Sequence, residues 1–232
     1  MSPAAQVIAL RVDASPEIGG GHVMRCLTLA RALSEREATC VFLSAPGTAE
    51  TVPALARAGL PVFTVDGNSG GPPPEFRAHW PEGTDCVIVD HYGIDSEIER
   101  QFRTWAKAIV VIDDLANRRH DCDLLIDQTF GRTAEEYRQW VPESCTVLAG
   151  SAYALVRPEF AAARPAALAR RAATGPIRRI LVSLGLTDLG GVTARVLRTL
   201  LALRLPCAID VVLGGRAASL AEVQALLAES MP

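Results

Sequence analysis

The chain runs to 232 residues, 49% apolar and 21% charged, with a formal net charge of −3. That length fits one large domain or one and a half smaller ones, and the apolar content supports a substantial core. The weak acidity leaves no basic stripe for nucleic acid and the longest apolar runs are strand-sized, so neither nucleic acid nor a membrane is expected as a partner.

An apolar strand over 7–12 runs into a turn holding Gly19, Gly20 and Gly21, followed by a helix over 22–36. Glycines let a backbone approach a phosphate closely, and the N–H groups and positive end of the following helix favour an anion there. His22 and Arg25, three residues apart, share a face of that helix, so the segment reads as an anion site with a base in it. A reading of equal weight makes it a turn that packs helix on strand, with His22 an ordinary helix-start residue. The segment is neither a P-loop, for want of Gly-Lys-Ser/Thr, nor a G-x-G-x-x-G dinucleotide turn.

Strands near 39–43, 61–65, 85–89, 108–112, 123–126 and 145–149 then alternate with helices near 48–58, 94–106 and 158–171, which predicts an α/β fold with a doubly wound, mostly parallel sheet. The runs 87–89 and 109–112 lack polar alternation, as strands covered on both faces do. Residues 67–74, rich in Gly and Pro, form the clearest expected loop. Ligands of such sheets collect at the carboxyl ends of strands, so Asp13, Asp90 and Asp113, each ending a predicted strand, belong to the edge of one crevice. His91 and Tyr92 follow Asp90 and can exchange protons, or simply cover the strand end. The charged run 112–123 puts carboxylates and bases at the next strand end, or is simply a solvated loop with local ion pairs.

A break over 170–176 precedes a strand at 177–183, a helix at 191–204, a strand at 209–213 and a helix at 220–229. Residues 1–172 are thus expected as one Rossmann-like domain and 173–232 as the start of a second, truncated one. So short a piece buries little surface by itself, which favours association through it. Six cysteines, at 26, 40, 86, 122, 145 and 207, form no C-x-x-C pair, and the histidines at 22, 79, 91 and 120 form no H-x-x-x-H pair. Free thiols in a reducing compartment, no metal and no cofactor are the expectation. With no charged-then-apolar leader in the sequence, the expected location is the cytoplasm.

Four spaced motifs carry a resemblance: R-x-D-x-S-x-x-I-G-x-G-H-x-x-R-x-L-x-L over 11–29, IVDHYGI over 88–94, IDDL with R-H-x-C-D-x-L-I-D-Q over 112–128, and YALVRPEF over 153–160. In these the chain resembles the UDP-2,4-diacetamido-2,4,6-trideoxy-β-L-altropyranose hydrolases of pseudaminic acid biosynthesis. The resemblance implies a GT-B-like fold of two Rossmann-like halves holding a UDP-sugar, and hydrolysis with loss of UDP and inversion at the anomeric carbon. It also implies that His22 activates the water and that Tyr92 lines the sugar site. UDP is a good leaving group, so such an enzyme needs chiefly a base and positive character against the diphosphate, and histidine titrates near neutrality. Gly19, Gly20, Gly21 and Arg25 are the candidates to meet that charge, with Asp90, His91, Arg157, Gly185 and Thr187 as further substrate contacts. Asp13 is the candidate to orient His22, with capping of a neighbouring turn as its rival role. Leu186 stands where the family carries a glycine, and the family's uridine-gripping C-terminal half is absent from the sequence. The same fold could instead transfer a sugar from UDP to an acceptor, or bind a sugar nucleotide without turnover.

Overall fold

The strands expected before residue 150 all form, as β1 (Val7–Val12), β2 (Thr39–Ser44), β3 (Val62–Thr64), β4 (Thr84–Asp90), β5 (Ala106–Ile112), β6 (Leu124–Asp127) and β7 (Thr146–Ala149). They join in one sheet of order β3-β2-β1-β4-β5-β6-β7, with every pairing parallel. The computed structural model describes residues 6–172 and 175–230.

Neighbouring residues of the central strands serve opposite cores. Ala9, Val41, Val87, Val89, Ile109 and Val111 pack on one face, while Ile8, Leu10, Phe42, Ile88 and Ile112 pack on the other. A period of two with both sets apolar is what a strand buried on both faces requires. The second face is covered by α1 (Gly21–Ser34), through Val23, Cys26, Leu27 and Ala30, and by the short helices α2 (Thr48–Thr51) and α3 (Pro53–Ala56). The first face is covered by Phe76 of α4 (Pro74–His79), Phe102 of α5 (Ser96–Phe102), Trp105 and Tyr137.

Two local expectations are corrected here. The helix expected over 48–58 is split into α2 and α3 at Val52, because Pro53 lacks an N–H and pushes the residue before it out of helical geometry (φ −122°, ψ 82°). The end of the expected loop at 67–74 instead starts α4, with Pro74 in its first turn, where a missing N–H costs nothing, and with Phe76 fully buried.

Spatial strand order reverses between β1 and β4, and in an open parallel sheet the crevice outside the carboxyl ends at such a switch is where ligands bind. Residues 13 and 90 stand at that point.

By contacts the chain divides into two units, one holding residues up to Ala14 with His22–Val156, the other Ser15–Gly21 with the residues from Arg157 onward. The division precedes the boundary expected at 172/173 and counts α6 (Pro158–Ala172) with the second unit. That unit also contains β8 (Arg179–Val182), α7 (Val192–Ala202), β9 (Ala208–Val211) and α8 (Leu220–Ser230). Its two strands pair in parallel, with Ile180 opposite Ile209, and Ala194, Leu197 and Val223 form its small core.

Gly83, at φ +84°, turns the chain into β4, and a Cβ there would lie 1.9 Å from the Trp105 carbonyl oxygen. That carbonyl receives the Thr84 N–H at 2.8 Å, so it cannot retreat freely. Gly83→Ala is expected to destabilise the fold by about 2–4 kcal/mol, read as a lowered urea midpoint. An unchanged midpoint would show that the turn yields.

Candidate functional site

At the switch point, α1 brings two side chains onto the end of β4. His22 Nδ1 lies 2.6 Å from Asp90 Oδ1. Arg25 grips the same carboxylate with Nε on Oδ2 at 2.6 Å and Nη2 on Oδ1 at 2.6 Å. The i, i+3 spacing read from the sequence is what lets both reach one acceptor.

Asp90 is sealed from solvent and His22 is only 8% exposed. Burial would raise the Asp90 carboxyl, but the hydrogen bonds from Arg25 and His22 outweigh it and hold the group below its ordinary value. A contact of 2.6 Å to an ionised carboxylate requires a proton between the atoms, so Nδ1 is the protonated nitrogen of His22. Arg25 Nη2 also lies 3.0 Å from Nδ1 and donates to the Asp90 oxygen that both groups share. Nε2 is then the basic nitrogen. It has no protein partner among the described residues and is not one of the sealed, unpaired atoms, which are Arg11 Nε, His120 Nε2 and Thr193 Oγ1, so it faces solvent. An imidazole fixed in one tautomer by a buried carboxylate, with its other nitrogen open, is equipped to take a proton from water or a hydroxyl.

Tyr92 closes the opposite side. Its ring meets the His22 ring edge to face at 4.6 Å, and its hydroxyl donates to Asp114 Oδ1 at 2.9 Å. Asp114 Oδ2 in turn receives Arg25 Nη1 at 3.1 Å. Burial and then Asp114 push the phenol up to about 12, so it stays a neutral donor. With 46% of its surface exposed, Tyr92 offers an aromatic edge at the mouth of the site.

Asp13 does not meet His22 by any hydrogen bond; the orienting carboxylate is Asp90, which corrects the sequence expectation. The Asp13 oxygens are filled by Arg11 Nη1 and Nη2 at 2.5 and 3.0 Å, by the Ala45 N–H at 2.7 Å and by His91 Nε2 at 3.1 Å. His91 Nδ1 accepts the Gly93 N–H at 3.0 Å, so both ring nitrogens are engaged. Asp90, expected among the substrate contacts, reaches a ligand only through His22 or Arg25. Arg25, a candidate to meet the phosphate charge, donates to Asp90 and Asp114.

In the second unit, Gly19 has φ +80° and donates its N–H to the Ser15 carbonyl at 2.8 Å, while Ser15 Oγ accepts the N–H groups of Glu17 and Ile18. Gly20 is buried, and Gly21 opens α1 with free space around it. Arg157 lies over the Phe160 ring at 5.0 Å. Gly185 sits in open space, and the Thr187 carbonyl receives the Ala218 N–H at 3.2 Å. The Leu186 carbonyl lies so close to Gly214 that a Cβ there would be 2.2 Å away.

Several residues escaped the sequence reading. Arg11 is fully buried, and its signal was an arginine inside the apolar run VIALRV. The run 112–123 is solvated only in part: Arg119 and Asp123 are exposed, while Asp113 and His120 are buried. Asp113 is 1% exposed and accepts Arg118 Nη1 at 2.5 Å, the Ala116 N–H at 2.9 Å and the Tyr137 hydroxyl at 2.9 Å. The same hydroxyl reaches Asp127 Oδ2 at 2.8 Å, and Arg132 Nε reaches that atom at 2.7 Å. No group of three or more His, Cys, Asp or Glu among the described residues is placed to hold a metal ion, and no described helix is long and apolar enough to cross a membrane.

No family model matches the chain. It is 30% identical over 155 residues to the UDP-2,4-diacetamido-2,4,6-trideoxy-β-L-altropyranose hydrolase of Campylobacter jejuni, covering 66% of this chain and 53% of that protein. It is also 25% identical over 209 residues to the uncharacterized protein MJ1062 of Methanocaldococcus jannaschii, covering 89% of this chain and 42% of that one. The chain therefore spans about half the length of the curated relatives it matches. Among solved structures, MurG of Acinetobacter baumannii superposes with a TM-score of 0.55 over 97% of this chain and 64% of its own, at 15% identity. That likeness is one of fold, and it agrees with the GT-B-like α/β architecture expected from the sequence.

The buried Arg11–Asp13 pair sets a pH response. Burial, which would raise the Asp13 carboxyl, is outweighed by the hydrogen bonds from His91 and Arg11, leaving it below the usual carboxylate range. Its ionised form therefore stabilises the fold above the unfolded value of about 3.9, and that contribution fades as the pH falls toward the lower folded value. Asp13→Asn strands a buried guanidinium and is expected to cost about 3–5 kcal/mol at neutral pH. Urea unfolding of both proteins across pH should show the difference narrowing below about pH 4; a constant difference would mean that packing rather than charge accounts for it.

Proposed function

We propose that this chain carries the water-activating site for hydrolysis of a UDP-sugar, with UDP-2,4-diacetamido-2,4,6-trideoxy-β-L-altropyranose as the substrate. The observation that carries this reading is the buried 2.6 Å contact of Asp90 with His22 Nδ1, which leaves Nε2 open at the carboxyl edge of the sheet. The name of the Campylobacter jejuni relative supports the substrate.

In this reading His22 Nε2 takes a proton from water as the water oxygen bonds to the anomeric carbon. The bond from that carbon to the UDP oxygen breaks, and UDP leaves with the electron pair. Direct displacement inverts the anomeric centre. The imidazolium formed at His22 is balanced by Asp90, which Arg25 keeps ionised and in place. Tyr92 supplies an aromatic edge beside the sugar, positioned by Asp114. The free sugar would feed pseudaminic acid biosynthesis.

Incubation with this UDP-sugar in heavy-oxygen water tests the reading. Heavy oxygen is expected in the released sugar and none in UDP. His22→Asn should lower kcat by about 10²–10⁴ with little change in KM, and Asp90→Asn should lower it in the same sense, because an amide no longer enforces the tautomer. UDP release only when a second sugar is supplied as acceptor would replace hydrolysis by transfer. Full activity in His22→Asn would remove His22 as the base.

A further inference from the structure

Two cysteines lie apart from this site, at the amino ends of β6 and β7. The register that sets Leu124 opposite Thr146, with the Thr146 N–H on the Asp123 carbonyl at 3.0 Å, holds their segments side by side. The Sγ atoms of Cys122 and Cys145 are 3.6 Å apart. Cys122 is 1% exposed, whereas Cys145 is half-buried and reachable.

We propose that Cys122 and Cys145 form a reversible dithiol–disulfide pair, a modification site that takes its oxidising equivalents from a small-molecule disulfide of the glutathione class. The Cys145 thiolate attacks one sulfur of that disulfide, forming a mixed disulfide and releasing one thiolate. Cys122 then loses its proton and attacks Cys145 Sγ, forming the Cys122–Cys145 bond and releasing the second thiolate. Two protein thiols are oxidised, one external disulfide is reduced to two thiols, and the two protons lost by the cysteines go to those products.

The order of attack follows from the surroundings. The hydrogen bond from Cys122 holds the Cys145 thiol below its ordinary value against the effect of burial, while Cys122 is raised by that same bond and by burial. The nearby carboxylates Asp123 and Glu99 oppose ionisation of both. Cys26 and Cys86 are poorer targets, because burial pushes Cys26 well up and Cys86 up to about 11. A disulfide requires sulfurs about 2.0 Å apart, a gap that side-chain torsion can close between the adjoining segments that lead into β6 and β7, where the sulfurs already stand 3.6 Å apart.

The whole folded chain is exposed to oxidised glutathione, quenched with acid, alkylated and digested with trypsin. Arg132 and Arg138 separate the two cysteines onto different peptides. The expected result is a fall of two from the six free thiols, a linked pair of peptides carrying Cys122 and Cys145, unchanged far-UV dichroism, and full reversal by dithiothreitol. Cys122→Ser should instead retain glutathione on Cys145. The proposal fails if wild-type protein keeps all its thiols, holds glutathione stably on Cys145, links a different pair, or links this pair only after its dichroism has collapsed.

Discussion

A carboxylate at the end of a buried strand must meet a cation, because removing an unpaired charge from water costs several kcal/mol. The sheet meets that condition repeatedly at its carboxyl edge. Asp13 is held by Arg11, Asp90 by Arg25, Asp113 by Arg118 and Asp127 by Arg132, each at 2.5–2.7 Å. Arg118 and Arg132 tie the segments after β5 and β6 back to the strand ends they leave, Arg25 ties α1 to the end of the neighbouring β4, and Arg11 braces the end of its own strand. Arg118 extends the tie by donating to the carbonyls of His91 and Ile94, and Arg132 by donating to that of Asp114.

The candidate site is one outcome of this arrangement. His22 shares its carboxylate with Arg25, and that sharing leaves a proton on Nδ1 and a lone pair on Nε2. Asp114 sits between the groups that frame the imidazole, accepting from both Arg25 and Tyr92, while Arg132 holds its backbone. The Tyr137 hydroxyl lies between Asp113 and Asp127, so one proton is shared by two acceptors at the ends of adjacent strands. Rigid strand ends, rather than the loops themselves, give the polar groups their geometry.

The cysteine pair depends on the same sheet at its opposite end. Pairing of β6 with β7 brings the segments before them together and Cys122 beside Cys145, although they are far apart in sequence and no C-x-x-C spacing marks them. A count of cysteines finds only scattered thiols, because cross-strand neighbours are set by pairing and not by distance along the chain.

The sequence by itself determined the alternation of strands and helices, the parallel sheet buried on both faces, and the gathering of Asp13, Asp90 and Asp113 at one edge. These follow from local apolar pattern and chain order, which act at short range and are written in neighbouring residues. His22, Arg25 and Tyr92 were also legible, since helix spacing and the position after β4 put them near that edge. Only the tertiary structure decided which carboxylate serves which base. Nearness in sequence pointed from Asp13 to His22, but Arg11 claims Asp13 from two residues away and leaves Asp90, across the β1–β4 pairing, to fix the imidazole. The run 112–123 leaves its two readings open in the sequence for a related reason: Arg119 and Asp123 are solvated, and only the packing of Tyr137 at the ends of β5 and β6 buries Asp113. Burial is a property of the packed whole, and for an ionisable side chain it decides between a surface charge and a constraint on the fold.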